Sequence, residues 1–292
     1  MIEIIKTIVY GIVEGITEWL PVSSTGHLII LNEIMPLNVS QDFWNVFEVV
    51  IQLGAIFSVI LLYFNKLWPF SLKEKNLIKK DTFNIWFKIL VSCVPAAIIG
   101  ILFDEVFEKL FYNTISVSVA LIVVGILFIF IEKFNKKEST IKSISEMTYK
   151  AALTIGLFQL IAAIFPGVSR SGATILGAIM IGVNRVTAAE YTFFLAIPVM
   201  LGASLLKLLK FGFAFTTLEF AILVTGMIAS FLTSLFVIKF LMNYVKKHDF
   251  KIFGFYRIVL GIIMILLVLS GVIWRDLIWL MSALFVTIVV KK

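Results

Sequence analysis

Charged residues are scarce in this chain of 292 residues, since Asp, Glu, Lys and Arg together make up only 15% of it. A soluble domain contains about 25% charged and about 45–50% apolar residues. The chain is 61% hydrophobic, so it has too little polar surface to cover a globule in water. The composition therefore excludes a soluble enzyme and a disordered chain, and it predicts a polytopic protein embedded in a lipid bilayer.

Cysteine and histidine are also rare. The single cysteine, Cys93, excludes an internal disulfide and any metal site built on several thiolates. The two histidines are His27 and His248, and the second lies in a lysine-rich stretch where it is expected to be solvated.

The chain has a net charge of +7. In a membrane protein, such a positive charge is typical of an excess of Lys and Arg in the cytoplasmic loops. Because no basic stretch is interleaved with aromatic residues, no nucleic-acid partner is expected.

Six apolar segments are long enough to cross a bilayer, which takes about 20 helical residues. They lie at about 45–64, 86–103, 115–131, 189–209, 217–240 and 254–273. Lysine clusters within 66–80, 133–142 and 239–251 are assigned to the cytoplasm by the positive-inside rule. A shorter apolar run, 277–290, is expected to add a seventh crossing, and the alternative is that it lies along the membrane surface. The expected fold is an all-α polytopic membrane protein with about six to seven spanning helices.

Two further apolar segments, about 4–35 and 150–183, are interrupted by proline and by polar residues. Irregular backbone at membrane depth is tolerated only where it packs against protein or lines a wet cavity. Both segments are therefore predicted to form re-entrant helix–turn–helix pairs.

The two interrupted segments resemble each other and are predicted to belong to an inverted repeat. Gly11, Glu14, Pro21, Ser23 and Gly26 align with Gly156, Gln159, Pro166, Ser169 and Gly172. Loop charges give the two halves opposite orientations, and such repeats bring their broken helices together at one site. We expect a single membrane domain, with repeat 1 at about 1–131, repeat 2 at about 150–273 and a C-terminal extension at 274–292.

Glu14 and Glu18 are four residues apart, so they share one face of the first helix. Two carboxylates in an apolar setting repel each other and need a positive partner. Carboxylate oxygens are preferred ligands of Mg²⁺ and Ca²⁺, so the pair predicts a divalent cation site. The alternative is a helix that lies at the membrane interface with both carboxylates in water.

The turn that follows Pro21 contains several polar groups at a predicted helix start. They are Ser23, Ser24, Thr25, Gly26 and His27. Hydroxyls and free backbone amides at a helix N-terminus are typical of an anion site. His27 next to them is a candidate general acid, general base or nucleophile. The alternative is a capping turn without a ligand.

Arg170 lies in the second interrupted segment, where an arginine at membrane depth indicates a functional site. Its guanidinium matches two oxygens of a phosphate. Ser169, Ser171 and Thr174 are candidate hydrogen-bond donors beside it, and Gly172 lets a backbone amide approach a ligand closely. The alternative is a structural ion pair between Arg170 and one of the glutamates.

Taken together, a predicted metal, an arginine and a helix N-terminus are the groups that stabilise charge in phosphoryl transfer. The stretches EGITEWLPVSSTGH (14–27) and PGVSRSGAT (166–174) closely resemble the two signature motifs of the undecaprenyl-diphosphatase family, the bacitracin-resistance proteins. The resemblance covers about residues 1–273, and 274–292 extends past the usual end of the family. It agrees with the inverted repeat and the re-entrant pairs predicted above.

The resemblance implies hydrolysis of undecaprenyl diphosphate to undecaprenyl phosphate and phosphate, which recycles the lipid carrier for peptidoglycan and confers bacitracin resistance. It implies a bacterial cytoplasmic membrane, a site facing its outer side, and Mg²⁺ or Ca²⁺ as cofactor. Glu14 and Glu18 would hold the metal and Arg170 would clamp the diphosphate. The nucleophile would be either Ser24, with His27 as base, or His27 itself. Thr25, Ser169, Ser171 and Thr174 would donate hydrogen bonds to the diphosphate.

A secondary transporter or flippase for a phosphate-bearing lipid or anion is the alternative function, because broken helices and inverted repeats are also features of transporters. Hydrolysis by the purified protein would separate the two. The expected partners are a polyprenyl diphosphate lipid and the bilayer, and a homodimer is left open.

Overall fold

The computed structural model describes residues 1–70, 79–135 and 138–273, and its regular secondary structure there is helical apart from isolated β-bridge residues, among them the pair Ile141 and Val183. The helices are α1 (Ile2–Thr17), α2 (Ser24–Ile34), α3 (Gln41–Val50), α4 (Gln52–Leu62), α5 (Phe64–Leu67), α6 (Lys80–Phe111), α7 (Thr114–Phe134), α8 (Tyr149–Ile164), α9 (Arg170–Met180), α10 (Arg185–Phe211), α11 (Thr217–Val245) and α12 (Lys251–Leu269). The predicted all-α class is confirmed. The extension 274–292, with its apolar run 277–290, lies outside the described residues.

Six segments of the described chain are long and apolar enough to cross a membrane, and each overlaps a predicted span. They are Gln41–Leu62, Lys80–Phe103, Thr114–Phe134, Arg185–Phe211, Thr217–Val245 and Lys251–Leu269. Many large apolar side chains on them are exposed, Phe236 by 75%. A surface of this kind suits hydrocarbon rather than water. The six predicted spans are therefore confirmed.

Both interrupted segments form helix–turn–helix pairs, α1 with α2 and α8 with α9, as predicted. Helices α2 and α9 are each 11 residues long. Each begins directly after a serine with positive φ, 73° at Ser23 and 69° at Ser169. Within the described ranges these are the two non-glycine residues with positive φ, a conformation that is unfavourable for a side chain with a Cβ. Its occurrence at two aligned serines supports the predicted equivalence of the two turns.

Each leading helix of a broken pair packs against a helix from the other half of the chain. Helix α1 lies against α11, and α8 lies against α6. Helices α7 and α12, which close the two halves, lie against each other. This exchange is what two similar halves related by a pseudo-twofold axis would produce. The repeat boundaries themselves stay a prediction.

Glycines at aligned positions allow the two leading helices to approach their partners closely. A Cβ added to Gly11 would lie 2.5 Å from the Cβ of Ala229 on α11. A Cβ added to Gly156 would lie 2.5 Å from the backbone oxygen of Ser92 on α6. Small residues at such interfaces let helix backbones pack together, which is a main source of helix association in membranes.

Ion pairs join helices near their ends. Glu132 of α7 accepts hydrogen bonds from Nε and Nη2 of Arg185 at 2.9 and 2.5 Å, and from the backbone amide of Phe250 at 3.1 Å. Lys207 of α10 donates to Glu108 of α6 at 2.9 Å. These contacts fix α10 against α6, α7 and the start of α12, and so hold the frame around the broken pairs.

We predict that Gly11→Ala and Gly156→Ala each destabilise the protein by about 1–3 kcal/mol, because the added methyl groups overpack these interfaces. Gly202→Ala is the control, since nothing lies within 4 Å of a Cβ added there. Thermal unfolding of the purified protein in detergent, followed by tryptophan fluorescence, measures the difference. Equal melting temperatures for all three variants would contradict the close packing.

Candidate active site

The two interrupted turns touch at Glu18, which caps the C-terminus of α1. Nη2 of Arg170, the first residue of α9, donates to Oε1 of Glu18 at 2.9 Å. The hydroxyl of Ser171 donates to the backbone oxygen of Glu18 at 3.1 Å. The polar residues predicted in the two halves are therefore neighbours at one site, where the helices of both pairs break.

Glu14 is fully buried one turn before Glu18, and neither of its carboxylate oxygens has a hydrogen-bond partner in the described part of the chain. Glu18 itself is 6% exposed. This burial contradicts the alternative of an interfacial helix with both carboxylates in water. An unpartnered buried carboxylate costs several kcal/mol. A cation, or a proton shared between Glu14 and Glu18, would remove that cost.

A divalent cation fits this pair of carboxylates. Mg²⁺ is usually bound by one or two carboxylates together with water and phosphate oxygens of the substrate. Across the described ranges, no group of three or more His, Cys, Asp and Glu side chains is arranged to hold a metal. Glu14 and Glu18 therefore suit an ion that takes its other ligands from substrate and solvent, not one enclosed by protein side chains.

Arg170 is held by contacts on several sides. Besides Glu18, it donates from Nη1 to the backbone oxygen of Thr192 at 2.8 Å, and its guanidinium carbon lies 6.0 Å from the centre of the Trp19 ring. The ion pair considered as an alternative to a ligand site is thus present. The buried Nε of Arg170 has no hydrogen-bond partner in the described chain. This N–H is therefore left as a donor that a bound oxyanion would satisfy.

The hydroxyls of the second turn hold the turn together. Ser169 accepts a hydrogen bond from the amide of Gly172 at 3.2 Å and caps α9. Thr174 donates to the backbone oxygen of Arg170 at 2.8 Å, and its hydroxyl lies 2.9 Å from that of Thr192. Their predicted hydrogen bonds to a diphosphate would have to be made in addition to these contacts.

The first turn leaves its polar groups less occupied. Ser24 donates to Oε2 of Glu18 at 2.9 Å. The hydroxyl of Ser23 is buried and has no hydrogen-bond partner among the described residues, and Thr25 is half-buried at the start of α2. Gly26 is buried against a side chain of α7. These residues lie at the start of α2, and their binding of an anion stays a prediction.

His27 was considered as the base for Ser24, but its ring nitrogens contact other groups. Its Nδ1 lies 2.7 Å from the backbone oxygen of Ser23, and its Nε2 lies 2.7 Å from the hydroxyl of Tyr256 on α12. The proton of Ser24 points to Glu18. Glu18 is therefore the base nearest to that hydroxyl.

Arg257 is a central residue of the site that the sequence reasoning did not single out. It is fully buried, and it donates from Nη1 to the backbone oxygen of Pro21 at 3.1 Å. Its Nη2 donates to the backbone oxygens of Gly167 and Val168 at 2.8 and 2.9 Å. One guanidinium thus binds carbonyls of both turns. The signal that would have found it is an arginine inside the apolar span 254–273.

These features define a polytopic membrane protein in which carboxylates, an arginine and hydroxyls are gathered at one buried site. The family model of the bacitracin resistance protein BacA matches residues 7–263, which include both turns and most of α12. The chain therefore belongs to the bacitracin resistance protein family, and the resemblance found in the sequence is confirmed.

Curated relatives are similar to this chain over nearly its whole length. Undecaprenyl-diphosphatase 1 of Clostridium acetobutylicum is 64% identical over 261 residues, which are 89% of this chain and 95% of that protein. Undecaprenyl-diphosphatase of Acetivibrio thermocellus is 59% identical over 92% of this chain and 99% of its own length. Undecaprenyl-diphosphatase of Enterococcus faecalis is 57% identical over 91% of this chain and 97% of its own length.

We predict that Arg257→Gln lowers the melting temperature strongly, because buried carbonyls left without a donor cost about 1–3 kcal/mol each. Arg257→Lys keeps the charge but not the fork that reaches both turns, so its melting temperature should fall between those of Arg257→Gln and the wild type. Lys251→Gln, at the start of the same helix, is the control and should change stability by no more than about 0.5 kcal/mol. A wild-type melting temperature for Arg257→Gln would refute this role.

Proposed function

We propose that this protein hydrolyses undecaprenyl diphosphate to undecaprenyl phosphate and inorganic phosphate. The observation that carries the proposal is the contact of Glu18 with Arg170 and Ser24 at the meeting point of the two turns. It brings a carboxylate, a cation and a hydroxyl to one point inside a membrane protein. The relatives named above are undecaprenyl-diphosphatases, and the activity would recycle the lipid carrier of peptidoglycan synthesis and protect against bacitracin.

Ser24 is the nucleophile that these contacts favour. Its hydroxyl already donates to Glu18, so the carboxylate can take the proton as the serine oxygen attacks the terminal phosphorus. The bond from that phosphorus to the bridging oxygen breaks, and undecaprenyl phosphate leaves with the electron pair. Water then releases phosphate from the serine. His27 is less suited to start the attack because the hydroxyl of Tyr256 covers its Nε2.

Arg170 would stabilise the negative charge that spreads over the transferred phosphoryl group. It lies beside Glu18, so it is within the site before the ligand binds, and its Nε has no acceptor among the described residues. Preorganised donors of this kind are worth more in a site from which water is excluded. The contact with Glu18 also keeps that carboxylate close to Ser24.

Glu14 and Glu18 would hold the proposed Mg²⁺ or Ca²⁺. The bound ion would supply charge neutralisation for the diphosphate. The support for it is the buried carboxylate of Glu14, whose oxygens lack a partner in the described chain.

We further propose that the site opens to the outer side of a bacterial cytoplasmic membrane. A cavity of about 190 Å³ lies beside α2, the helix of Ser24 and His27, and Asn32, Glu33 and Tyr112 are among its lining residues. Its lining also includes Asn113, between α6 and α7, on the side opposite the lysine-rich loops. Labelling of Asn38→Cys in a Cys93→Ser background by a membrane-impermeant reagent would test on which side of the membrane this end of α2 lies.

A homodimer stays a prediction that sedimentation in detergent would check.

We predict that purified protein releases phosphate from undecaprenyl diphosphate with Mg²⁺ or Ca²⁺ and loses this activity in EDTA. Glu14→Gln and Glu18→Gln should each lower kcat by about 10²–10⁴-fold, because each removes a charge from the site. Glu219→Gln is the control, since Glu219 caps α11 at the exposed surface. No phosphate release with any divalent metal would reject the hydrolase and leave the transporter alternative.

We predict that a phosphoenzyme trapped with substrate labelled on the terminal phosphorus survives acid, as a phosphoserine does. Ser24→Ala should remove the label. Ser58→Ala should keep it, because the hydroxyl of Ser58 bonds to the backbone oxygen of Ala55 within α4. An acid-labile label that persists in Ser24→Ala would assign the attack to His27 instead.

A further inference from the structure

Tyr256 and Arg257 are adjacent on α12, yet their side chains reach different parts of the site. Arg257 points into the protein and binds the backbone of both turns. Tyr256 is 47% exposed and lies over His27. The two rings are nearly parallel, with an angle of 7° between their planes and 5.6 Å between their centres. The tyrosine hydroxyl is 2.7 Å from Nε2 of the histidine.

The other ring nitrogen determines where the proton of His27 lies. Nδ1 is 2.7 Å from the backbone oxygen of Ser23. A carbonyl oxygen only accepts hydrogen bonds, so Nδ1 must carry the hydrogen. In a neutral imidazole, Nε2 then has the lone pair, and the hydroxyl of Tyr256 donates to it. The carbonyl involved belongs to Ser23, the residue with positive φ that starts α2, so the histidine proton is tied to the shape of the turn.

We infer that Tyr256 is a positioning residue of the site: together with the carbonyl of Ser23 it holds His27 in the tautomer protonated on Nδ1, and its hydroxyl keeps Nε2 as the proton-accepting nitrogen. The inference rests on the proposed function for its catalytic consequence, but the tautomer itself follows from the two contacts alone. Tyr256 packs by its ring and bonds by its hydroxyl, so the two parts can be removed separately. Because Glu18 takes the proton of Ser24 in the attack, the proton that Nε2 accepts is that of the water which then releases phosphate from Ser24. The partial exposure of Tyr256 allows its hydroxyl to turn away for that step.

The second histidine is a built-in comparison. His248 also directs Nδ1 to the backbone oxygen four residues earlier, that of Tyr244, at 3.2 Å, and it stacks on the Tyr244 ring at 4.5 Å. Its Nε2 has no hydrogen bond to the described residues, and the residue is exposed. The two histidines therefore share the Nδ1 contact and differ in the hydroxyl at Nε2.

The test is NMR of the whole protein in detergent with ¹⁵N-labelled histidine, because only two histidines contribute signals. His248→Gln identifies the signal of His27. In the wild type we expect His27 in the Nδ1-protonated form with its Nε2 shifted by a hydrogen bond. In Tyr256→Phe, which keeps the ring, the hydrogen-bond shift of Nε2 should be lost, while the carbonyl of Ser23 keeps Nδ1 protonated and the signal of His248 stays unchanged. A wild-type His27 protonated on Nε2, or an unchanged His27 signal in Tyr256→Phe, would overturn the inference.

Kinetics supply the second readout. Tyr256→Phe should lower kcat for phosphate release about 2–10-fold, the range for one lost hydrogen bond, with KM within twofold of the wild type. A change in KM alone would overturn the positioning role. If the wild type released no phosphate while the NMR shift in Tyr256→Phe was found, the proposed function would fail and the tautomer assignment would stand. If the wild type released phosphate while Tyr256→Phe left the NMR spectrum unchanged, the proposed function would stand and the positioning role of Tyr256 would fail.

Discussion

Glu18 ends α1 and Arg170 begins α9, so their ion pair forms where both interrupted helices leave backbone groups without helical partners. In a low-dielectric interior, removing one partner of such a pair leaves an uncompensated charge and costs about 3–5 kcal/mol. Arg257 complements it, because its guanidinium binds the carbonyls of both turns. Charge pairing and backbone satisfaction therefore act on the same few residues, and the two turns cannot separate without losing both.

The close packing of glycines makes this meeting point reachable. With Gly11 and Gly156 against their partner helices, α1 and α8 lie deep among the spanning helices and their C-terminal ends reach the interior. A polar turn there has little water around it. Its polar groups therefore either bond to one another or lack a protein partner and suit a ligand. The buried carboxylate of Glu14 is the clearest group of the second kind, which is why the proposed metal and the proposed phosphate chemistry fall at this place.

The parts of the fold that follow from local chemistry could be predicted. The six spans are set by runs of apolar residues, and the breaks are set by Pro21 and Pro166 with the polar residues after them. The chemically important side chains Glu14 and Arg170 stand out because charge at membrane depth is costly. The pairing of Ser24 with Glu18 could not be predicted, since His27 lies closer to Ser24 in the sequence than Glu18 does.

By itself, the sequence determined that the chain lies in a membrane, where its helices break and which polar residues the breaks carry, because each of these depends on residues close together along the chain. Only the tertiary structure decided which of those residues meet. Arg170 reaches Glu18 from 152 positions away, and Tyr256 reaches His27 from 229. Contacts of this range depend on how whole helices pack, and hydrophobic periodicity does not encode the partner of a single hydroxyl or guanidinium.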